Sequence, residues 1–316
     1  MPSEAPARAE LIEDGGASAD DGEFFRSFVF RDVEGATHTL RIESPGRRAS
    51  MAVIVQEIQD TNRVDAVSLY GYPGATLKGA GAPPAAAAVD WSATNLVSLF
   101  ARERLGGSPV LADPSRRGTV LLHDPSRPRQ VRPRLAEQVR ATARRGYEAE
   151  VVRGPESGPR DRAGFHAAYA QTMDRVEATE RYMFSPEYIG GILMFERSWL
   201  VLARSPAYGV AAGAIAAVSD GHLHYFLGGT AHFALDDSPF KCVVAAMLDL
   251  ADELGLPLNL GGGLAAGDGL ERFKRGFANG EAPFMTHEVV CDAVAYAELG
   301  APRKDAGFFP AYRAPG

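Results

Sequence analysis

The hydrophobic period keeps switching between residues 198 and 290, and that switching constrains the fold more than any other feature. WLVLARS and YGVAAGAIAAVSD read as strands, Asp220-Gly221 as a two-residue hairpin turn, and HLHYFLGGT as the returning strand. The spacing then becomes helical in SPFKCVVAAMLDLADELG, with Ser238 as the expected N-cap and Gly255 as the stop. LPLNL follows as a strand, Gly261-Gly262-Gly263 as a loop, DGLERFKRGFA as a helix capped by Asp268, and APFMTHEVVCDAV as a last strand. Two helices precede this block. AGFHAAYAQTMDRVEA carries Phe165, Tyr169 and Met173 on one face, and SPEYIGGILMFER starts at Ser185 with Pro186 behind it. The order predicts an α/β fold in which a mixed sheet carries helices on both faces.

The first half is less regular. THTLRIES and MAVIVQEIQ alternate as strands do, and FFRSFVFRDVEG is read the same way. YGYPG, with its turn residues, is a loop, and a helix is expected near residues 93–105. PRLAEQVRATARR is a helix that stops at Gly146, and YEAEVVRG a strand. The expected divisions are a solvated, disordered tail over 1–22, an N-terminal half over 23–155, a C-terminal domain over 156–300 and a tail over 301–316. The turn-rich GPESGPR segment marks the boundary.

A hydrophobic content of 46% suffices for a substantial core, and a net charge of −7 argues against a surface that coats nucleic acid, DNA included. No apolar run is long enough for a membrane helix, and the acidic N-terminus lacks the pattern of a secretory signal, so a cytoplasmic protein is expected. Cys242 and Cys291 sit in apolar runs as small hydrophobes, and no metal site is expected. Charge is concentrated at residues 125–145, where seven arginines face Glu137 alone. Lysine is rare, occurring only at 78, 241, 274 and 304.

FHAAYAQTMDRVEATERYMFSPEYIGGIL, LHYFLGGTAHFALDDSPFKCVVAAMLDLADELGLPLNLGGG and DGLERFKRGFANGEAPF together resemble the Fem-like aminoacyltransferases of the GNAT acetyltransferase superfamily. The resemblance spans roughly 160–297 well and 24–153 loosely. It implies two tandem GNAT-like halves and an enzyme that forms an amide bond. Such an enzyme moves an aminoacyl group from aminoacyl-tRNA to the amine of a small acceptor, with no cofactor. The family's Phe-Lys pair falls on Phe273-Lys274, which implies that Lys274 acts on the acyl-ester carbonyl. The long helical arm that some members use to grip tRNA has no counterpart here. Relatives in natural-product pathways, antibiotic biosynthesis among them, use the same scaffold as those of the cell wall.

Read on their own, these residues leave alternatives. Lys274 lies at the edge of the helix face set by Phe273 and Phe277, where a snorkelling surface lysine would also fit. The triplet Gly261, Gly262 and Gly263 suits either a positive-φ loop or a close approach of substrate to bare backbone. Tyr225 could line a cleft, with Gly228, Gly229 and Thr230 offering backbone donors. Tyr70, Tyr72 and Tyr182 are candidates for stacking or for packing. Arg140, Arg144 and Arg145 are candidates for phosphate or tRNA contacts, against the usual solvated face. Ordinary acetyltransferases cradle the coenzyme A pyrophosphate where this chain has GGTAHFALDDSPF. That segment lacks G-x-G, and its Asp236 and Asp237 are expected to face the next helix N-terminus and repel a diphosphate. A coenzyme A-dependent N-acyltransferase and a non-catalytic binding module remain as rival functions.

Overall fold

A computed structural model describes residues 6–263, 265, 267–300 and 308–314. The chain divides into two compact units, residues 1–117 with 284–316, and residues 118–283.

The second unit holds Lys274 and the residues gathered around it. Its sheet runs β8 (Ser115–His123, from residue 118 on), β13 (Leu258–Gly261), β12 (His222–Thr230), β11 (Gly209–Ser219), β10 (Ser198–Ser205), β9 (Glu148–Arg153). Every neighbour is antiparallel except β12 and β13, which are parallel. The β11–β12 hairpin closes through Asp220 and Gly221, both at positive φ (47° and 73°), as a two-residue turn of this kind requires. A bulge follows, where Tyr225 pairs with Ala216 and Leu227 with Ile215. Phe226 is left over, and the strict alternation of faces is interrupted there.

Helix α5 (Phe240–Leu254) buries Val243, Val244, Met247, Leu248 and Ala251 in one cluster with sheet residues such as Val201, Ala214, Leu223 and Leu258. Gly255 ends it at φ 64°. Its start differs from expectation: Pro239 is the N-cap and no side chain caps the helix, while Ser238 sits at φ 52° with its hydroxyl on the Leu235 carbonyl. Helix α3 (Pro159–Arg175) packs Phe165, Ala168 and Tyr169 inward, and Ser185 caps α4 (Pro186–Ile192) through the Tyr188 amide as read. Helices α2 (Pro133–Arg144) and α6 (Gly269–Arg275) complete the unit.

The first unit is another mixed sheet, in the order β6 (Val89–Asp90), β1 (Ala7–Ile12), β2 (His38–Ser44), β3 (Arg47–Glu57), β4 (Val64–Ser68), β7 (Leu96–Arg102), β14 (Gly280–Val290, from residue 284 on). The short strand β5 (Thr76–Lys78) pairs with β3. Helices α1 (Phe28–Glu34) and α7 (Ala293–Gly300) belong to this unit.

Four expectations need correction here. The solvated tail contains β1, whose Ala7 and Ala9 are buried against β2; alternating small residues hide inside an acidic, alanine-rich composition. FFRSFVFRDVEG contributes α1, capped by Ser27, and the region near 93–105 contributes β7. Short apolar runs fit either period, and burial on both faces of a central strand removes the alternation that would reveal it. The GPESGPR segment is no boundary. It turns between β9 and α3 inside the second unit, with Gly154 packed against Leu193 and Ser198. Of the expected C-terminal tail, 301–307 and 315–316 lie outside the described residues. Within 308–314, Arg313 forms an ion pair with buried Asp65 at 2.6 Å and Tyr312 shares a hydrogen bond with Ser98 at 2.7 Å.

Gly229 shows how closely α3 rides on the sheet. A β-carbon there would sit 2.5 Å from the Tyr169 Cα and 2.6 Å from the Ala168 carbonyl oxygen, both backbone atoms that cannot swing aside. Gly229→Ala is therefore expected to lower the stability of the protein by about 1–3 kcal/mol, the cost of an overpacked contact. Urea-melt midpoints compared with wild type check it.

Candidate functional site

The site begins where β12 and β13 part. These parallel neighbours pair only at Leu223–Leu258 and His224–Asn259, after which β12 continues to Thr230 without β13 beside it. Tyr225 is the first β12 residue past the last pair. At the end of β13 the chain turns through Gly261, at φ 74°, into Gly262.

Lys274 reaches this turn from α6. Asp268 caps the helix by accepting from the Glu271 amide at 2.7 Å, and Glu271 in turn accepts from the Gly267 amide at 2.7 Å. Phe273 and Phe277 stack edge to face at 5.4 Å, and Phe277 is fully buried. That anchoring leaves the next residue, Lys274, to reach the turn at Gly261 and Gly262. Its Nζ donates to the Gly262 carbonyl at 2.8 Å and lies 5.3 Å from the Tyr225 ring centre, within cation–π range. A β-carbon on Gly261 would stand 3.1 Å from that Nζ. Tyr225, Phe240 and Phe273 form a continuous aromatic wall, with centroids 5.7 Å and 6.5 Å apart. Gly228 lies against it, so that a side chain there would collide with the Tyr225 hydroxyl and the Phe240 ring.

Burial pushes the Lys274 ammonium down to about 8, and the nearby Asp268 carboxylate partly opposes the shift. An ammonium has three N–H donors, and Gly262 takes one, so two remain for a ligand atom.

The structure thus brings Lys274, Phe273, Tyr225, Gly228, Gly261 and Gly262 together. Gly263 stands beside the Asp268 cap, one step away. Other candidates are engaged elsewhere. Gly229 faces α3, and the Thr230 amide and carbonyl both bond the Thr172 hydroxyl on that helix, so neither offers a donor at the opening. The Tyr182 carbonyl accepts from the Tyr169 hydroxyl, next to the stacked rings of Phe184 and Tyr188. Tyr70 and Tyr72 belong to the first unit, where Tyr72 packs against Phe25 and Phe284 and the Tyr70 amide bonds Glu34.

The arginines chosen from the sequence are ion-paired: Arg140 and Arg144 share Glu137, and Arg145 binds Asp237 at 2.7 Å. Asp237 also accepts from the Tyr147 hydroxyl at 2.7 Å, and burial together with that carboxylate pushes the phenol up to about 12. The expectation that this aspartate faces the α5 N-terminus is corrected accordingly.

A different set of cations surrounds α6. Arg132 donates to the Arg272 carbonyl, its own amide bonds the Gly276 carbonyl, and Leu135 packs onto Gly276. Arg134 lies close enough to Lys241 to add to the lowering of that lysine by burial, and Lys241 follows Phe240 of the aromatic wall. Among the described residues, Arg132, Arg134, Lys241 and Arg272 have no carboxylate within ion-pairing distance. The sequence pattern could not separate them from Arg140 and Arg144, because the difference lies in which acid the fold delivers.

Asn259 was outside the sequence-derived site. His224 shares a β12 face with His222, their rings 5.8 Å apart, and is fully buried beside Asn259. The described residues contain no group of side chains able to hold a metal ion, and none of their helices is long and apolar enough to cross a membrane. A surface hollow of about 700 Å³ in the first unit, lined by Asp60, Arg63, Asp292 and Glu298 among others, carries no lysine or histidine.

No protein-family profile matches the chain, and no curated protein matches it in sequence. Solved structures do match. FemX aligns over 92% of this chain and 99% of its own at a TM-score of 0.60 and 11% identity. The C-terminal domain of a putative lysylphosphatidylglycerol synthetase from Agrobacterium fabrum aligns over 87% and 89%, with a TM-score of 0.54 and 14% identity. L-PGS from Bacillus licheniformis aligns over 78% and 82%, at 0.51 and 12%.

Asp268→Asn keeps the cap and removes the charge that holds the lysine up. The Lys274 pKa is expected to fall below 8, read by ¹⁵Nζ NMR titration of a protein with only four lysines. At these identities the likeness shows the fold alone: the chain has the α/β fold of FemX.

Proposed function

We propose that this protein is an aminoacyltransferase that carries an aminoacyl group from aminoacyl-tRNA to the amine of a small peptidyl or nucleotide-linked acceptor. The observation that carries the reading is Lys274, an ammonium held at a strand parting by one carbonyl with two donors left over. The acceptor nitrogen attacks the ester carbon, the carbonyl oxygen takes up negative charge, and the two remaining N–H donors of Lys274 stabilise it. As the tetrahedral centre collapses the C–N bond stays, the ester C–O bond breaks, and the proton lost by the amine leaves with the ribose hydroxyl. Holding ester and amine together supplies the rest of the acceleration, and no covalent intermediate is needed.

The donor assignment draws on the uncompensated cations around α6, which suit a phosphate backbone, and on the sequence resemblance. One structural neighbour is named as the C-terminal domain of a putative lysylphosphatidylglycerol synthetase. One observation favours a coenzyme A-dependent acyltransferase as second reading: with Asp237 turned to Arg145 and Tyr147, the α5 N-terminus has no side-chain cap.

The test offers radiolabelled aminoacyl-tRNAs with a panel of peptide amines. Label moving into an amide, abolished by ribonuclease, with no heat on adding coenzyme A, supports the first reading. Transfer that survives ribonuclease, with coenzyme A heat, supports the second. No transfer from either donor leaves a binding module.

Lys274→Met is expected to lower kcat about a hundred- to a thousandfold, as loss of an oxyanion donor does. The working form is the ammonium, present below about 8, so this contribution should fade as pH rises through that value. Arg134→Gln with Lys241→Gln should raise the donor KM and flatten its salt dependence, whereas Arg140→Gln with Arg144→Gln should change neither.

A further inference from the structure

We propose that His224 and Asn259 are positioning residues for Lys274, holding through one buried hydrogen-bond chain the turn whose carbonyl orients its ammonium. The proposal rests on the reading of Lys274 as the working group.

The chain can be followed atom by atom. The Gly261 amide donates to Asn259 Oδ1 at 2.8 Å. That fixes the side-chain amide, so Nδ2 faces His224 Nδ1 at 3.1 Å and must be the donor. His224 Nδ1 therefore carries a lone pair, and the ring proton sits on Nε2, which donates to the Ser219 carbonyl at 3.1 Å. One tautomer and one amide orientation satisfy all three bonds. A second proton on the ring would set N–H against N–H. Burial pushes His224 down to about 3, so the ring stays neutral throughout the working pH range.

The far end of this chain is fixed by the β11–β12 hairpin, and its near end pins Gly261 at φ 74°. The next residue, Gly262, presents the carbonyl that Lys274 donates to. The two polar side chains, 1% and 0% exposed, thus lie at the last pair before the strands part, where sheet hydrogen bonding stops. An apolar pair would fill the same volume. A polar pair directs the turn.

The experiment reads Lys274 directly and needs no substrate. ¹⁵Nζ titration is run on wild type, Asn259→Leu, His224→Leu and Val244→Ala, the last a destabilising core control in α5 that makes no hydrogen bond in the chain. Wild type and Val244→Ala should titrate near 8 at Lys274. Asn259→Leu and His224→Leu should shift it by a unit or more toward the ordinary lysine range as the turn releases the ammonium to water. In the transfer assay the same two variants should lower kcat about ten- to a hundredfold with donor KM unchanged.

Lys274 titrating as in wild type in folded Asn259→Leu overturns the proposal, and so does an equal shift in Val244→Ala. If one relay variant does not fold, the other decides by the same criteria. A shift without any transferase activity keeps the positioning role and removes the functional reading.

Discussion

A parallel strand pair that separates after two residue pairs leaves backbone groups without ladder partners, and the second unit is organised around that separation. Asn259 takes the Gly261 amide and Lys274 takes the Gly262 carbonyl. The polar side chains are therefore part of the sheet's own hydrogen-bond accounting. The hydrophobic contribution comes from α5 and from Phe273 and Phe277, which fix the helix that carries the lysine. The lysine's contacts and the fold share these few atoms, so the ammonium can be partly desolvated without being misplaced.

Electrostatic roles in this molecule follow from pairing more than from abundance. The arginine-rich stretch contributes its later residues to ion pairs on an exposed helix face, where each is worth little. Of its earlier residues, Arg127 and Arg129 also pair with aspartates, while Arg132 bonds the Arg272 carbonyl and, like Arg134, has no carboxylate within ion-pairing distance among the described residues. Asp237, which looks in the sequence like a helix-facing acid, is absorbed by Arg145 and Tyr147. Two neighbouring features of one sequence thus exchange their expected roles once the partners are known.

The second unit was legible because its signals agree at several levels. The Asp220-Gly221 turn, the caps at Ser185 and Asp268, the stop at Gly255 and the change of period all point one way. The Phe273-Lys274 pair could be named because it rests on a resemblance as well as on helix spacing. The first unit was less legible: Leu96–Arg102 is buried on both faces and lacks alternation, and Ala7–Ile12 hides its alternation in alanines. Asn259 escaped notice because a single polar residue in LPLNL carries no periodic signal. Its significance comes from the one position where the β12 and β13 neighbours part. Gly229 and Thr230 were misassigned for a related reason, since the sequence does not say which face of β12 meets α3.

The ion pair between Arg313 and Asp65 has a bearing on how this chain tolerates shortening. Asp65 is 4% exposed, in the middle of the first unit's sheet, and its carboxylate oxygens both meet the guanidinium of Arg313. A product ending before residue 308 would leave that acid in place with its counter-charge gone, at a cost of about 3–5 kcal/mol. The segment that carries Arg313 thus acts as a latch on an interior strand of the first unit.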